Sequence, residues 1–150
     1  MGTSELIFAI QTNLSMIQQV EITLPAFERG FHVITDLILS KLPKLPESGL
    51  MNVFIKHTSA GITINECADP TVLTDFEMVF NRLVPDELYF RHLGEEPDDM
   101  PAHIKTTLSG ASVSVPITKG KPNLNPVQGI YLCEYRNQGG PRNLVVTIFS

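Results

Sequence analysis

Four histidines, a scatter of carboxylates and a few basic side chains are the groups in this 150-residue chain that could do chemistry. His57 closes a run in which Met51, Val53 and Ile55 share its parity, and Thr58-Ser59-Ala60-Gly61 follows it. A polar residue on the inward parity of an apolar strand costs free energy unless it is paired. His57 therefore reads either as a functional group or as a core histidine bonded to a backbone carbonyl. His92 and His103 bracket LGEEPDDMPA, ten residues that fit no one-helix metal pair and no zinc-finger spacing. A return from loop to helix would still bring the two rings together, and imidazoles beside Glu or Asp suit zinc, manganese or iron. Alternatively, Glu95, Glu96, Asp98 and Asp99 form a solvated charge run flanked by two incidental histidines.

Asn65, Glu66, Asp69 and Asp75 form a second polar group between a strand and a helix start. Asp69 is accounted for by capping. Glu66 follows ITIN at a strand end, a place for a general-base or ligand carboxylate. Spacing alone makes Asp75 an exposed helix residue. Ser59 lies two residues after His57, and side chains so placed at a strand end seldom face each other, which speaks against a serine nucleophile. Lys56, Arg91, Lys105 and Arg142 could meet a phosphate, although each also reads as a surface charge. The sequence has no GxGxxG, Walker A, GxSxG or CxxC motif.

The elements that must position these groups follow from periodicity. Alternation marks Met16–Leu24, Leu50–His57 and Ile62–Asn65 as strands, with a further short apolar strand over Glu5–Gln11. Gly30 marks a turn, and helical spacing covers Phe31–Leu42 through Ile34, Leu37, Ile38 and Leu42 until Pro43 and Pro46 end it. Asp69-Pro70 is a helix start, with Asp as N-cap and Pro at the first helical position. Val72, Phe76, Val79, Phe80 and Leu83 form that helix's apolar side. Pro85–Met100 is polar and irregular, and Pro101 opens a short helix that ends at Gly110. Ala111–Thr118, Gly129–Tyr135 and Asn143–Phe149 are strands, with KGKP and NQGG suited to reversals. Two or three helices among these strands make an α+β fold with a mostly antiparallel sheet.

Composition narrows the function classes. With 43% apolar and 18% charged residues the chain folds, and its length fits one domain over 1–150. Eleven basic residues against sixteen acidic ones argue against non-specific nucleic-acid binding. No apolar run is long enough to span a membrane, and the N-terminus lacks a signal peptide's basic region, so no membrane partner and a cytoplasmic location are expected. Cys67 and Cys133 are too few for a disulfide framework and suit reduced thiols.

Several separate blocks, in order, resemble one known family. RGFHVIT (Arg29–Thr35), HTSAGITINE (His57–Glu66) with DPTV and Asp75, VPDELYFRH, DDMPAHIK (Asp98–Lys105), LSGASVSVPITKG (Leu108–Gly120), Gln128-Gly129-Ile130, and Glu134 with Gly139-Gly140-Pro141-Arg142 are similar to the YjbQ-like proteins, often labelled the secondary thiamine-phosphate synthase enzyme family. The likeness begins near Ile17 and leaves residues 1–16 as an N-terminal extension. It implies a compact α+β sandwich or pseudobarrel assembled as a homotrimer. It also implies a thiamine-phosphate synthase activity, joining hydroxymethylpyrimidine diphosphate to thiazole phosphate with release of diphosphate. The family positions carried over residue by residue are His57, Ser59, Glu66, Asp75, His92 and His103, with Glu134.

Two departures stand out. The family's G-T-W-Q is Asn125-Pro126-Val127-Gln128 here, and its N-E-N is Asn65-Glu66-Cys67. The resulting expectations are His57, Glu66 and Asp75 as catalytic groups and Ser59, Gln128 and Arg142 on a small phosphorylated metabolite. His57, His92 and His103 are expected around a divalent zinc, magnesium or manganese ion. The alternative is a non-catalytic trimeric metal- or ligand-binding protein.

Overall fold

The computed structural model describes residues 16–86 and 89–150; the strand expected over Glu5–Gln11 lies outside them. In chain order the elements are β1 (Ile17–Leu24), β2 (Gly30–Val33), α1 (Thr35–Leu39), β3 (Ser48–Ile55), β4 (Ala60–Glu66), α2 (Thr71–Leu83), α3 (Asp99–Ser109), β5 (Ser112–Thr118), β6 (Lys121–Pro122), β7 (Gln128–Glu134) and β8 (Arg142–Phe149). One sheet runs β1-β8-β3-β5-β6 and the other β2-β7-β4, and every pairing is antiparallel. The sheets curl into a half-barrel, so the α+β expectation holds.

Side-chain alternation explains how the layers stack. In the large sheet Ile22 and Leu24 of β1, Met51, Val53 and Ile55 of β3, Val115 and Ile117 of β5, and Leu144, Val146 and Ile148 of β8 all point inward. They meet Ala60 and Ile62 of β4 and Ile130 and Leu132 of β7. The opposite parity of the small sheet, Phe31, Tyr131 and Cys133, forms a second core with Ala102 of α3 and Leu73, Phe76 and Phe80 of α2. Phe31 sits 5.5 Å from Phe76 and 5.4 Å from Phe80, ring centre to ring centre, within the range of favourable aromatic pairs. Both sheet faces are thus covered where β7 runs, and α2 and α3 are held on the outer layer.

Two local readings need correction. Phe31–Val33 is strand, not helix, because its backbone pairs with Tyr131–Cys133 of β7; only Thr35–Leu39 is helical. The NQGG segment is not a hairpin: it carries the chain from β7 in one sheet to β8 in the other. KGKP does reverse the chain, with Lys119 and Gly120 at φ 53° and 72° between the paired Thr118 and Lys121. Positive φ at both central positions is the geometry of a tight two-residue hairpin turn.

Candidate functional site

At the start of α3, Asp99 and His103 lie one turn apart, and the preceding loop folds back to place His92 against both. Asp99 Oδ2 is 3.1 Å from His92 Nε2 and 3.2 Å from His103 Nε2. His103 Nδ1 donates to the Thr58 carbonyl at 2.8 Å. A carbonyl only accepts, so Nδ1 must carry the proton and the neutral ring turns its Nε2 lone pair toward the carboxylate. Two acceptors held that close need a cation or a shared proton between them. Asp99 is buried whereas His92 is half-exposed, so the group opens to solvent on one side. Arg136 holds the cluster from behind: Nη1 donates to Asp99 Oδ1, and Nε donates to Asp98 Oδ1 at 3.1 Å. The Asn137 N–H donates to Asp98 Oδ2 at 2.7 Å, so the carboxylates of the acidic run dock on the β7–β8 connection.

His57 does not join this group. Its Nε2 accepts the Asn143 N–H at 2.8 Å, and its Nδ1 lies 3.4 Å from Arg142 Nη1. Burial and then the Arg142 charge hold its pKa below the ordinary histidine value. It shares a groove with Thr58, His103 and Thr106. Arg142 is buried, donating Nε and Nη2 to the fully buried Glu134 at 2.6 Å each. That pairing occupies the fork that was expected to hold a substrate phosphate. Ser59 is buried at the turn into β4.

The remaining expected residues have local structural work. Glu66 Oε1 accepts the Ala68 N–H at 2.6 Å and the Asp69 N–H at 3.2 Å, closing the turn before α2. Asp69 Oδ1 accepts the Thr71 N–H at 2.9 Å just ahead of α2, but the N-cap position is Pro70, not the expected Asp69, and the first helical residue is Thr71, not Pro70. Asp75 is an exposed residue of α2. Gln128 Oε1 accepts the Asn125 N–H at 2.9 Å within its own loop. The two departures from the family pattern touch: the Cys67 N–H donates to the Val127 carbonyl at 2.7 Å. Cys133 is buried, its thiol pushed up to about 12 by burial, which leaves it inert.

The protein-family model "UPF0047 protein YjbQ-like" matches residues 20–150. The chain belongs to the YjbQ-like UPF0047 family. The Salmonella typhimurium UPF0047 protein YjbQ is 46% identical over 135 residues, covering 89% of this chain and 98% of its own. The Escherichia coli O157:H7 YjbQ protein is 44% identical over the same span. Among solved structures, an uncharacterised conserved YjbQ/UPF0047 protein of Clostridium acetobutylicum superposes with a TM-score of 0.73 at 34% identity, over 86% of this chain and 98% of that one. A protein of unknown function from Sulfolobus solfataricus reaches 0.77 at 20% identity, covering 91% of this chain and 99% of its own, and speaks to the fold alone. These YjbQ relatives carry family names without a reaction.

Asp99 and Arg136 are the YjbQ-fold residues at the cluster that reasoning from sequence missed. A signal for Asp99 existed: it stands four residues before His103 across a proline that opens a helix, the spacing that stacks two ligands on one face. Arg136 has no such signal.

Proposed function

We propose that this YjbQ-like chain holds a divalent cation between His92, Asp99 and His103, and that the site acts on a small phosphorylated metabolite. One observation carries the reading: the Asp99 oxygen lies 3.1 and 3.2 Å from two imidazole nitrogens, one of which has its lone pair aimed at it by Thr58. An ion about 2.0–2.1 Å from each ligand in tetrahedral geometry separates ligand atoms by about 3.3–3.4 Å. The two Asp99 distances fit with a small outward shift, and the three ligand atoms lie within 4.8 Å of one another. Two nitrogens and one oxygen favour zinc or manganese over magnesium, which prefers oxygen and water. The Thr58 carbonyl supplies the outer-shell acceptor that metal-binding histidines commonly use. A bound divalent ion would polarise a phosphoryl oxygen and stabilise a leaving diphosphate.

Thiamine-phosphate synthesis, suggested by the family label alone, is the first reaction to assay. The decisive experiment pairs elemental analysis with turnover on hydroxymethylpyrimidine diphosphate and thiazole phosphate, with and without added zinc or manganese. His103→Ala is expected to lose both the stoichiometric metal and the turnover while keeping its circular dichroism spectrum. A variant that keeps its metal removes the site. Metal without turnover favours the second reading, a non-catalytic trimeric metal- or ligand-binding protein. That reading draws support from α2, which buries no residue within one chain and exposes Met78, Val79 and Leu83. A one-chain mass in light scattering would remove the trimer.

A further inference from the structure

Lys105 lies on α3 beyond His103 and takes no part in the histidine cluster. Its side chain is only 1% exposed, yet its ammonium makes a single hydrogen bond among the described residues, to Asn81 Oδ1 at 2.9 Å. Three donors are available on that nitrogen. Arg29 stands beside it and donates Nη2 to the same Asn81 oxygen at 2.8 Å. Among the described residues, Asp86 is the carboxylate in reach of both cations: Oδ2 is 2.7 Å from Arg29 Nη1, and Oδ1 is 3.3 Å from Arg29 Nη2 and 3.6 Å from Lys105 Nζ. Asp86 thus faces both positive charges, with Glu77 a more distant carboxylate beside them, and it is 36% exposed near the start of the α2–α3 connection. The cations sit on β2's approach and on α3, elements fixed by the second core; the anion sits just after α2.

Asp86 also stands at a junction. It lines three cavities: one with Arg29, Asn81 and Asn137, one with Arg136 and Asn137, and one with His92 and Phe90. Asp86 is shared by the cavity that Arg29 lines and the cavity that His92 lines. Glu77 rims the first cavity and would meet a hydrogen-bond donor on a ligand, not its anion.

We infer that Arg29, Asn81 and Lys105 form an oxyanion site for the phosphoryl or carboxylate group of a small metabolite, and that Asp86 fills it from within the chain until a ligand takes its place. A planar guanidinium fork, a point-charge ammonium with spare donors and a neutral amide are the set that recognises such a group. Asp86 lines both cavities, so the body of a ligand that displaces it would extend toward the cluster while its anion stays on Arg29 and Lys105. The site does not depend on a metal.

The test is calorimetric titration of the full chain with inorganic phosphate and, separately, acetate, each with EDTA present and with one equivalent of zinc. Saturable binding is expected in both metal conditions, and the tighter anion identifies the group. Lys105→Met should abolish it. Asp86→Asn, which removes the internal competitor, should tighten it by about tenfold or more, the scale of one charge-assisted contact. Binding of neither anion, or binding that needs zinc, overturns the site; the zinc-only result places the anion on the histidine cluster instead. Failure of the metal reading alone would leave the EDTA titration unchanged. If Lys105→Met does not fold, Asp86→Asn decides, and unchanged or weaker affinity in that variant overturns the inference.

Discussion

Two histidine–carboxylate–arginine groups lie at the ends of the half-barrel's small sheet and its outer helix, and they are built to opposite rules. In the His57–Glu134–Arg142 group the short contacts are complementary: the guanidinium donates twice to a buried carboxylate, and the imidazole Nε2 accepts a backbone N–H. In the His92–Asp99–His103 group the acceptors face each other, and Arg136 braces only the outer carboxylate oxygen. The same residue types give a closed structural brace in one place and an open ligand-ready set in the other. Composition does not separate them; the direction of the lone pairs does.

The sharpest way to break this contrast is Arg142→Met. Leaving Glu134 unpaired in the core should cost about 3–5 kcal/mol in urea unfolding. A cost under about 1 kcal/mol would mean the brace is dispensable. Gly139→Ala attacks the same brace sterically. A Cβ there would fall 2.5 Å from Arg142 Nη2 and 2.5 Å from Glu134 Oε2, so a loss of about 1–3 kcal/mol is expected. On the open side, Arg136→Gln should leave the fold in place and weaken zinc binding by about 10–100-fold in a competition titration, as loss of an outer-shell partner does. Unchanged affinity would show that Asp99 is held without it.

The smallest effect concerns pH. The folded-state pKa of His57 is depressed, through burial first and the Arg142 charge second. The unfolded chain therefore binds this proton more readily, and stability should fall as pH drops below the ordinary value of about 6.5 and level off below the folded pKa. His57→Gln should flatten that part of the urea-midpoint profile between about pH 7 and pH 5. A parallel profile in the variant would assign the slope to another group.

Much of the fold was legible in residue order. The inward parity of Met51, Val53 and Ile55, the helix after Asp69-Pro70 and the stop at Gly110 all emerge within a residue or two of their observed places. Phe31–Val33 was misread because Ile34, Leu37 and Ile38 have helical spacing and the three residues before them are too few to show alternation. Their strand character comes from β7, a partner distant in sequence. At the site, the pairing of His92 with His103 was legible only as a possibility, and Arg142 read as a surface charge or, beside the family resemblance, as a phosphate contact. Its burial against Glu134 needs two strands from different sheets to converge.

Sequence alone settled the family and most of the strand faces of this chain, since alternation is a property of neighbouring residues. Which histidine meets which carboxylate was decided only in three dimensions. His57 is claimed by the backbone of β8, and His103 is aimed by the carbonyl of Thr58. A hydrogen bond between residues far apart in the chain leaves no periodic trace, yet it sets which nitrogen carries the proton and which one is free to bind.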